Sequence, residues 1–123
     1  MINYQILSEA VEYYASHGFE YIEVPWIVSA KSVDVTRPND RRRFDTFAGS
    51  LVGSGEQSFL EMRDQLKPDH KYQCITPCFR DEPIQDEIHK LYFVKQELII
   101  IGNCEIDLVD MVKICTGFFK RYA

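Results

Sequence analysis

Positive charge is scarce in this chain of 123 residues, where 14 Lys and Arg stand against 19 Asp and Glu for a formal charge of −5 and a pI near 5.1. A general nucleic-acid coat is excluded, because neutralising phosphates needs a surplus of cations on the contacting face, and no DNA-binding role is expected. Long apolar runs are lacking too. The longest aliphatic run, Leu98-Ile99-Ile100-Ile101, is far short of the roughly 20 residues that cross a bilayer, and the first residues do not lead from a basic stretch into an apolar one. A cytoplasmic protein without a membrane segment is the expectation. Cysteine is sparse, and Cys74, Cys78, Cys104 and Cys115 fit neither a CxxC pair nor a zinc module, so buried free thiols are expected and no metal ligands. Repeats, low-complexity tracts and an interdomain linker are absent. Residues 1–123 therefore read as one domain, and 46% hydrophobic content suffices for a core.

What is present is a legible run of elements. Ile6, Leu7, Ala10, Val11 and Tyr14 follow the i, i+3, i+4 pattern of a helix with one buried face, and Gly18 stands where its C-cap should be. Phe19 to Val24 alternates as a strand that stops at Pro25. From Ser29 to Asn39 the apolar pattern breaks up, and Arg37-Pro38-Asn39-Asp40 before Arg41-Arg42-Arg43 reads as an exposed loop. Those arginines are either a solvated face or a contact for phosphates. Phe44 to Leu51 suits a hairpin through Ala48-Gly49, and a helix should start near Glu56 and end near Lys67-Pro68. Tyr72 to Phe79 and Leu91 to Ile101 are strongly β-prone, with Cys74, Thr76 and Cys78 on one face as small core residues. A last helix runs from Glu105 to about Tyr122, entered through Gly102-Asn103. Ile106, Val109, Val112 and Phe119 form its stripe, and Lys113, Lys120 and Arg121 lie toward the favourable C-terminal end.

The chemistry concentrates between the two long strands. Phe79-Arg80-Asp81-Glu82, a polar loop, and then His89 and Phe93 read as the tip of a long antiparallel hairpin. If the strand continues, Arg80 and Glu82 point the same way. A guanidinium takes phosphate oxygens in fork geometry, a carboxylate accepts from an exocyclic amine, and an aromatic ring stacks on a base. Together these are the groups that satisfy a nucleotide.

This pattern resembles motif 2 of the class II aminoacyl-tRNA synthetases, written in that family as F-R-x-E, a loop, and H/R-x-x-x-F. The resemblance implies that Arg80 holds the α-phosphate of ATP, Glu82 the adenine amine, His89 the terminal phosphate, and that Phe93 stacks on adenine, with Mg²⁺ accompanying the phosphates. The helix, Gly18, strand and Pro25 resemble motif 1, which implies a homodimer with Pro25 at its interface. Ser54-Gly55-Glu56-Gln57 is similar to the family's loop that grips the α-amino group of the amino acid, a task for Glu56, although an N-cap by Ser54 explains the same residues. Lys95 and Glu97, two and four beyond Phe93, are either neighbours of the amino acid on the pocket floor or a surface ion pair.

The resemblance covers roughly residues 5 to 115. Motif 3, the glycine-rich Glu-Arg segment that supplies the second ATP-binding arginine, has no counterpart, and neither has the anticodon-binding domain. Since stabilising charge on pyrophosphate is commonly the largest catalytic term, its loss should cost much of the rate. The expected fold is α+β, an antiparallel β-sheet with helices packed on one side, truncated relative to the family and helped by dimerisation. The expected function is ATP binding with an amino acid or similar small molecule and weak or partner-dependent adenylation. The alternative is a catalytically silent dimerisation or regulatory module. Contact with tRNA rests on Arg37, Arg41 to Arg43 and the motif 2 loop, against the acidic net charge.

Overall fold

The structure, a computed structural model, describes residues 2–102 and 104–122, with the side chains of 104–107 excepted. Asn103, through which the last helix was expected to be entered, and the side chains of Cys104 and Ile106 lie outside the described residues. Helix α1 spans Tyr4–Ser16 and opens on Asn3, whose side chain accepts from the Ile6 N–H at 3.0 Å. It closes at Gly18, whose φ of +90° strains any residue with a Cβ, and the Phe19 N–H then returns to the Tyr14 carbonyl at 3.0 Å. That turn delivers Phe19 into the core beside Ala10, Tyr14 and Phe118.

The strand expected over Phe19 to Val24 shortens to β1, Glu20–Tyr21, with one further ladder bond from the Ile22 N–H to the Gln73 carbonyl. Ile22 and Val24 instead pack against the cluster of Phe59, Tyr72 and Cys74. After β2 (Ile27–Val28) comes a helix where a loop was expected, α2 (Ala30–Asp34). A single turn is too short to show periodicity, but Ser29 caps it and Val33 joins Val28 and Val52 in a small core. The expected hairpin forms from β3 (Asp45–Thr46) and β4 (Gly49–Leu51), with Phe47 fully exposed at its turn. Helix α3 (Gly55–Glu61) and a 3₁₀ turn (Arg63–Gln65) end before Lys67-Pro68 as anticipated.

Strands β5 (His70–Phe79) and β6 (Tyr92–Ile101) form the long antiparallel hairpin, in register from His70 opposite Ile101 to Phe79 opposite Tyr92. Two sheets result among the described residues, in the orders β1-β5-β6 and β2-β4-β3. The fold is α+β, as expected. β1 joins β5 in parallel, which the long crossover through β2, α2, β4 and α3 permits. Helices cover both faces of the larger sheet rather than one. Tyr72 and Cys74 face α3 through Phe59, while the opposite face meets α1 and α4 (Cys104–Phe119) through Leu98 and Ile100.

Helix α4 lies differently from the expected orientation. Val109, Val112 and Phe119, read as its inner stripe, are 54%, 58% and 67% exposed, whereas Met111, Ile114, Cys115 and Phe118 pack inward. The Tyr13 hydroxyl donates to the Ile114 carbonyl at 2.7 Å and Tyr13 stacks with Phe118, which fixes that rotation of the helix.

Helix α3 approaches the sheet so closely that a Cβ on Gly55 would lie 2.9 Å from Cys74 Sγ and 3.0 Å from Glu97 Cβ. Gly55→Ala should therefore cost about 1–3 kcal/mol through overpacking and lower the melting temperature by several degrees. Thermal unfolding checks this, and an unchanged midpoint would show that the helix can back away freely.

Candidate functional site

At the tip of the β5–β6 hairpin, the arginine-rich loop, the Gly53–Gly55 loop and the two long strands enclose a cleft of about 350 Å³. The size is that of small-molecule pockets. Arg80, Glu82, Glu56, Lys95 and Glu97 all line it. The strand ends at Phe79, but the Arg80 N–H still donates to the Leu91 carbonyl at 2.8 Å, carrying the ladder one step further and keeping Arg80 and Glu82 on the cleft.

Two side chains hold the glycine loop. Gln57, 4% exposed, accepts from the Gly53 N–H at 2.7 Å and donates to the Val33 carbonyl and to Thr36 Oγ1. Arg80 Nε donates to the Gly53 carbonyl at 2.6 Å, and its guanidinium lies 5.3 Å from the Phe93 ring centroid. Ser54 occupies the N-cap position of α3 but makes no side-chain capping bond, so Gln57 and Arg80 secure the loop instead. The Gln57 brace went unread in the sequence because a Gln in the first turn of a helix looks like a surface residue.

The arginine loop belongs to the cleft wall and is neither a plain solvated face nor a set of free cations. Arg42 grips Asp81 through its backbone N–H at 2.8 Å and its guanidinium at 3.2 Å. Arg43 bridges Asp34 and Asp45, Arg37 pairs with Asp34, and Arg41 pairs with Asp40. Asp81 was the unread signal here, the variable position between Arg80 and Glu82. Hydrogen bonds from Arg42 hold its carboxyl below the usual carboxylate range, as those from Arg37 and Arg43 do for Asp34, and from Arg43 and Ser50 for Asp45. Native values below the unfolded ones mean stability that is full above the ordinary Asp value of about 3.9 and lost as pH falls through the depressed native values. Melting temperature should accordingly drop below about pH 4, less steeply in Asp81→Asn than in the wild type. Parallel profiles would deny Asp81 its part.

Lys95 and Glu97 form an ion pair at 3.1 Å, and the pair stands in the cleft rather than on the far side of the hairpin. Beneath it, burial, reinforced by the charge of Glu97, pushes the Cys74 thiol up to about 12, and burial raises Cys78 as well. Both are unpaired, fully buried thiols, inert as nucleophiles.

His89 and Phe93 line a neighbouring groove with Ile6, Leu7 and Tyr92. The loop before β6 folds on Asp86, whose carboxylate accepts from the Ile88 and His89 N–H groups at 2.8 and 2.7 Å and meets His89 Nδ1 at 3.1 Å. Phe93 touches the cleft only through Arg80, which lies over its ring. Pro25 is exposed, and its carbonyl accepts from Ser58 Oγ at 2.7 Å, joining the turn after β1 to α3. No helix among the described residues is long and apolar enough to cross a membrane.

No family model and no curated protein matches the chain. Solved structures do. Pyrrolysyl-tRNA synthetase from Desulfitobacterium hafniense superposes with a TM-score of 0.70 at 17% identity, over 93% of this chain and 46% of that one. Serine-tRNA ligase from Naegleria fowleri, solved with AMP, gives 0.70 at 15% identity over 94% of this chain and 32% of that one. Prolyl-tRNA synthetase from Cryptosporidium parvum, complexed with halofuginone and AMPPNP, gives 0.70 at 14% over 89% and 25%. The chain thus spans less than half the length of each of these proteins, and over that span it has their α+β fold, similar to the class II synthetase catalytic fold.

Proposed function

We propose that the cleft binds ATP with Mg²⁺ beside an amino acid or similar small molecule, and that adenylation by this chain is weak or depends on a partner. One observation carries the reading: Arg80, Glu82, Glu56, Lys95 and Glu97, singled out along the sequence, line a single cleft. The Arg80 guanidinium spends only Nε, on Gly53, and makes no other hydrogen bond among the described residues. Its remaining donors are suited to an α-phosphate, where they would stabilise charge as a carboxylate attacks phosphorus. Glu56 and Glu97 suit a substrate ammonium, and Glu82 an adenine amine. The cleft lining bears six cationic and four acidic side chains, and Asp34, Asp40 and Asp45, which do not line it, pair with Arg37, Arg41 and Arg43. Among the described residues no group of three or more His, Cys, Asp or Glu could hold a metal, so Mg²⁺ would arrive on the nucleotide phosphates, its usual mode.

The same geometry supports weak rather than efficient adenylation. Arg37, Arg41, Arg42 and Arg43 are each tied to a carboxylate, so none stands ready as a second cation for departing pyrophosphate. A catalytically silent module is the second reading, favoured by the Arg80 contacts to Gly53 and Phe93, which give that residue a structural use without any ligand. The same ion pairs count against tRNA as the main partner, since a paired arginine has less charge to offer phosphates.

Amide chemical-shift mapping with ATP and Mg²⁺ tests the site. Shifts at Gly53, Gly55, Arg80 and Glu82 are expected. Shifts confined to the groove of His89 and Tyr92, or none at millimolar nucleotide, would overturn the reading.

A further inference from the structure

Strand β6 is an open edge among the described residues, since it pairs only with β5 while β1 closes the other side. The direction of its free hydrogen-bonding groups follows from two bonds. Arg80 N–H to the Leu91 carbonyl puts the even residues of β5 and the odd residues of β6 in the hydrogen-bonded pairs of the hairpin, and Ile22 N–H to the Gln73 carbonyl confirms that odd β5 residues face β1. The backbone groups of Tyr92, Val94, Gln96, Leu98 and Ile100 therefore point outward. Ten residues of half-exposed edge, rich in Ile, Val and aromatics, form a template for a further strand.

The side chains select which strand. We infer that two copies of this chain associate through β6, antiparallel about a two-fold axis at Gln96, so that both larger sheets join into one. In that register Lys95 of each copy stands opposite Glu97 of the other, Val94 opposite Leu98, Phe93 opposite Ile99 and Tyr92 opposite Ile100. Apolar residues meet apolar residues and each charge meets its opposite. Sliding by one pleat in either direction sets Lys95 against Lys95 or Glu97 against Glu97, which like-charge repulsion disfavours. The Lys95–Glu97 positions also fall in a non-hydrogen-bonded pair of the new ladder, where facing side chains are closest. Within one chain these two side chains already pair at 3.1 Å, and they are 36% and 24% exposed, so both can turn to the second copy. The contact is isologous, as a closed dimer requires. It is distinct from an interface at Pro25, and it borders the cleft wall without depending on nucleotide binding.

Charge reversal tests the register. Wild-type protein should sediment as a dimer at micromolar concentration. Lys95→Glu and Glu97→Lys alone should each weaken association at least about tenfold, because both cross-strand pairs become like-charged. An equimolar mixture of the two variants should regain the dimer as a mixed species, which also shows that both are folded. A monomeric wild type, or a dimer that neither reversal weakens and mixing does not change, would overturn the proposal and send any dimer to another face such as that at Pro25.

Discussion

Replacing Gln73 by Leu should lower stability by about 3 kcal/mol and the melting temperature by about 10 °C or more. Gln73 has no solvent exposure, yet its amide donates to the carbonyls of Val11 in α1 and Phe19 beyond it, both at 3.0 Å, and its oxygen accepts from Gln96. One side chain in the central strand thus ties the first helix, the turn at Gly18 and the edge strand together. Leucine nearly fills the volume but leaves the Phe19 carbonyl without that donor inside the core, and an unsatisfied buried group costs about 1–3 kcal/mol by itself. A melting temperature within two or three degrees of the wild type would show that water or a local shift replaces the amide.

Arg80→Ala should reduce affinity for ATP at least about tenfold while the fold persists. The estimate follows from charge-assisted hydrogen bonds, each worth about 1.5–3 kcal/mol when made to a phosphate in a partly enclosed site. Persistence of the fold follows from the bonds that do not involve the Arg80 side chain. Gln57 still holds the Gly53 N–H, and the Phe79 N–H still donates to the Val52 carbonyl at 2.9 Å. Far-ultraviolet circular dichroism and melting check the second half of the statement, and titration with nucleotide checks the first. Undiminished affinity in a folded variant would remove Arg80 from the site and favour the structural use of its contacts with Gly53 and Phe93.

The long β5–β6 hairpin was legible because Tyr72 to Phe79 and Leu91 to Ile101 are rich in aromatic and β-branched residues and flank a polar loop. Helix α1 was legible from its periodicity together with Gly18. Helix α2 was not, because five residues carry less than two turns of pattern and its stability comes from Val33 meeting Val28 and Val52 across the chain. The rotation of α4 was misread for a related reason. Leu108, Val109, Val112, Ile114, Cys115 and Phe118 are apolar nearly all round the helix, so periodicity could not choose between two faces, and Tyr13 on a distant helix made the choice. Of the residues that line the cleft, Arg80, Glu82, Glu56, Lys95 and Glu97 were singled out from spacing and from a family resemblance. The Arg42–Asp81 clamp and the Gln57 brace depend on contacts between residues 39 and 24 positions apart, which local pattern does not encode.

The central claim is that the cleft around Arg80 takes a nucleotide. Isothermal titration of the purified protein with ATP and Mg²⁺ tests it most directly. The account predicts saturable binding that weakens in Arg80→Ala and justifies a search for the amino acid. The absence of heat at millimolar ATP, with the protein folded, would contradict it and leave the synthetase-like fold as a scaffold for other partners.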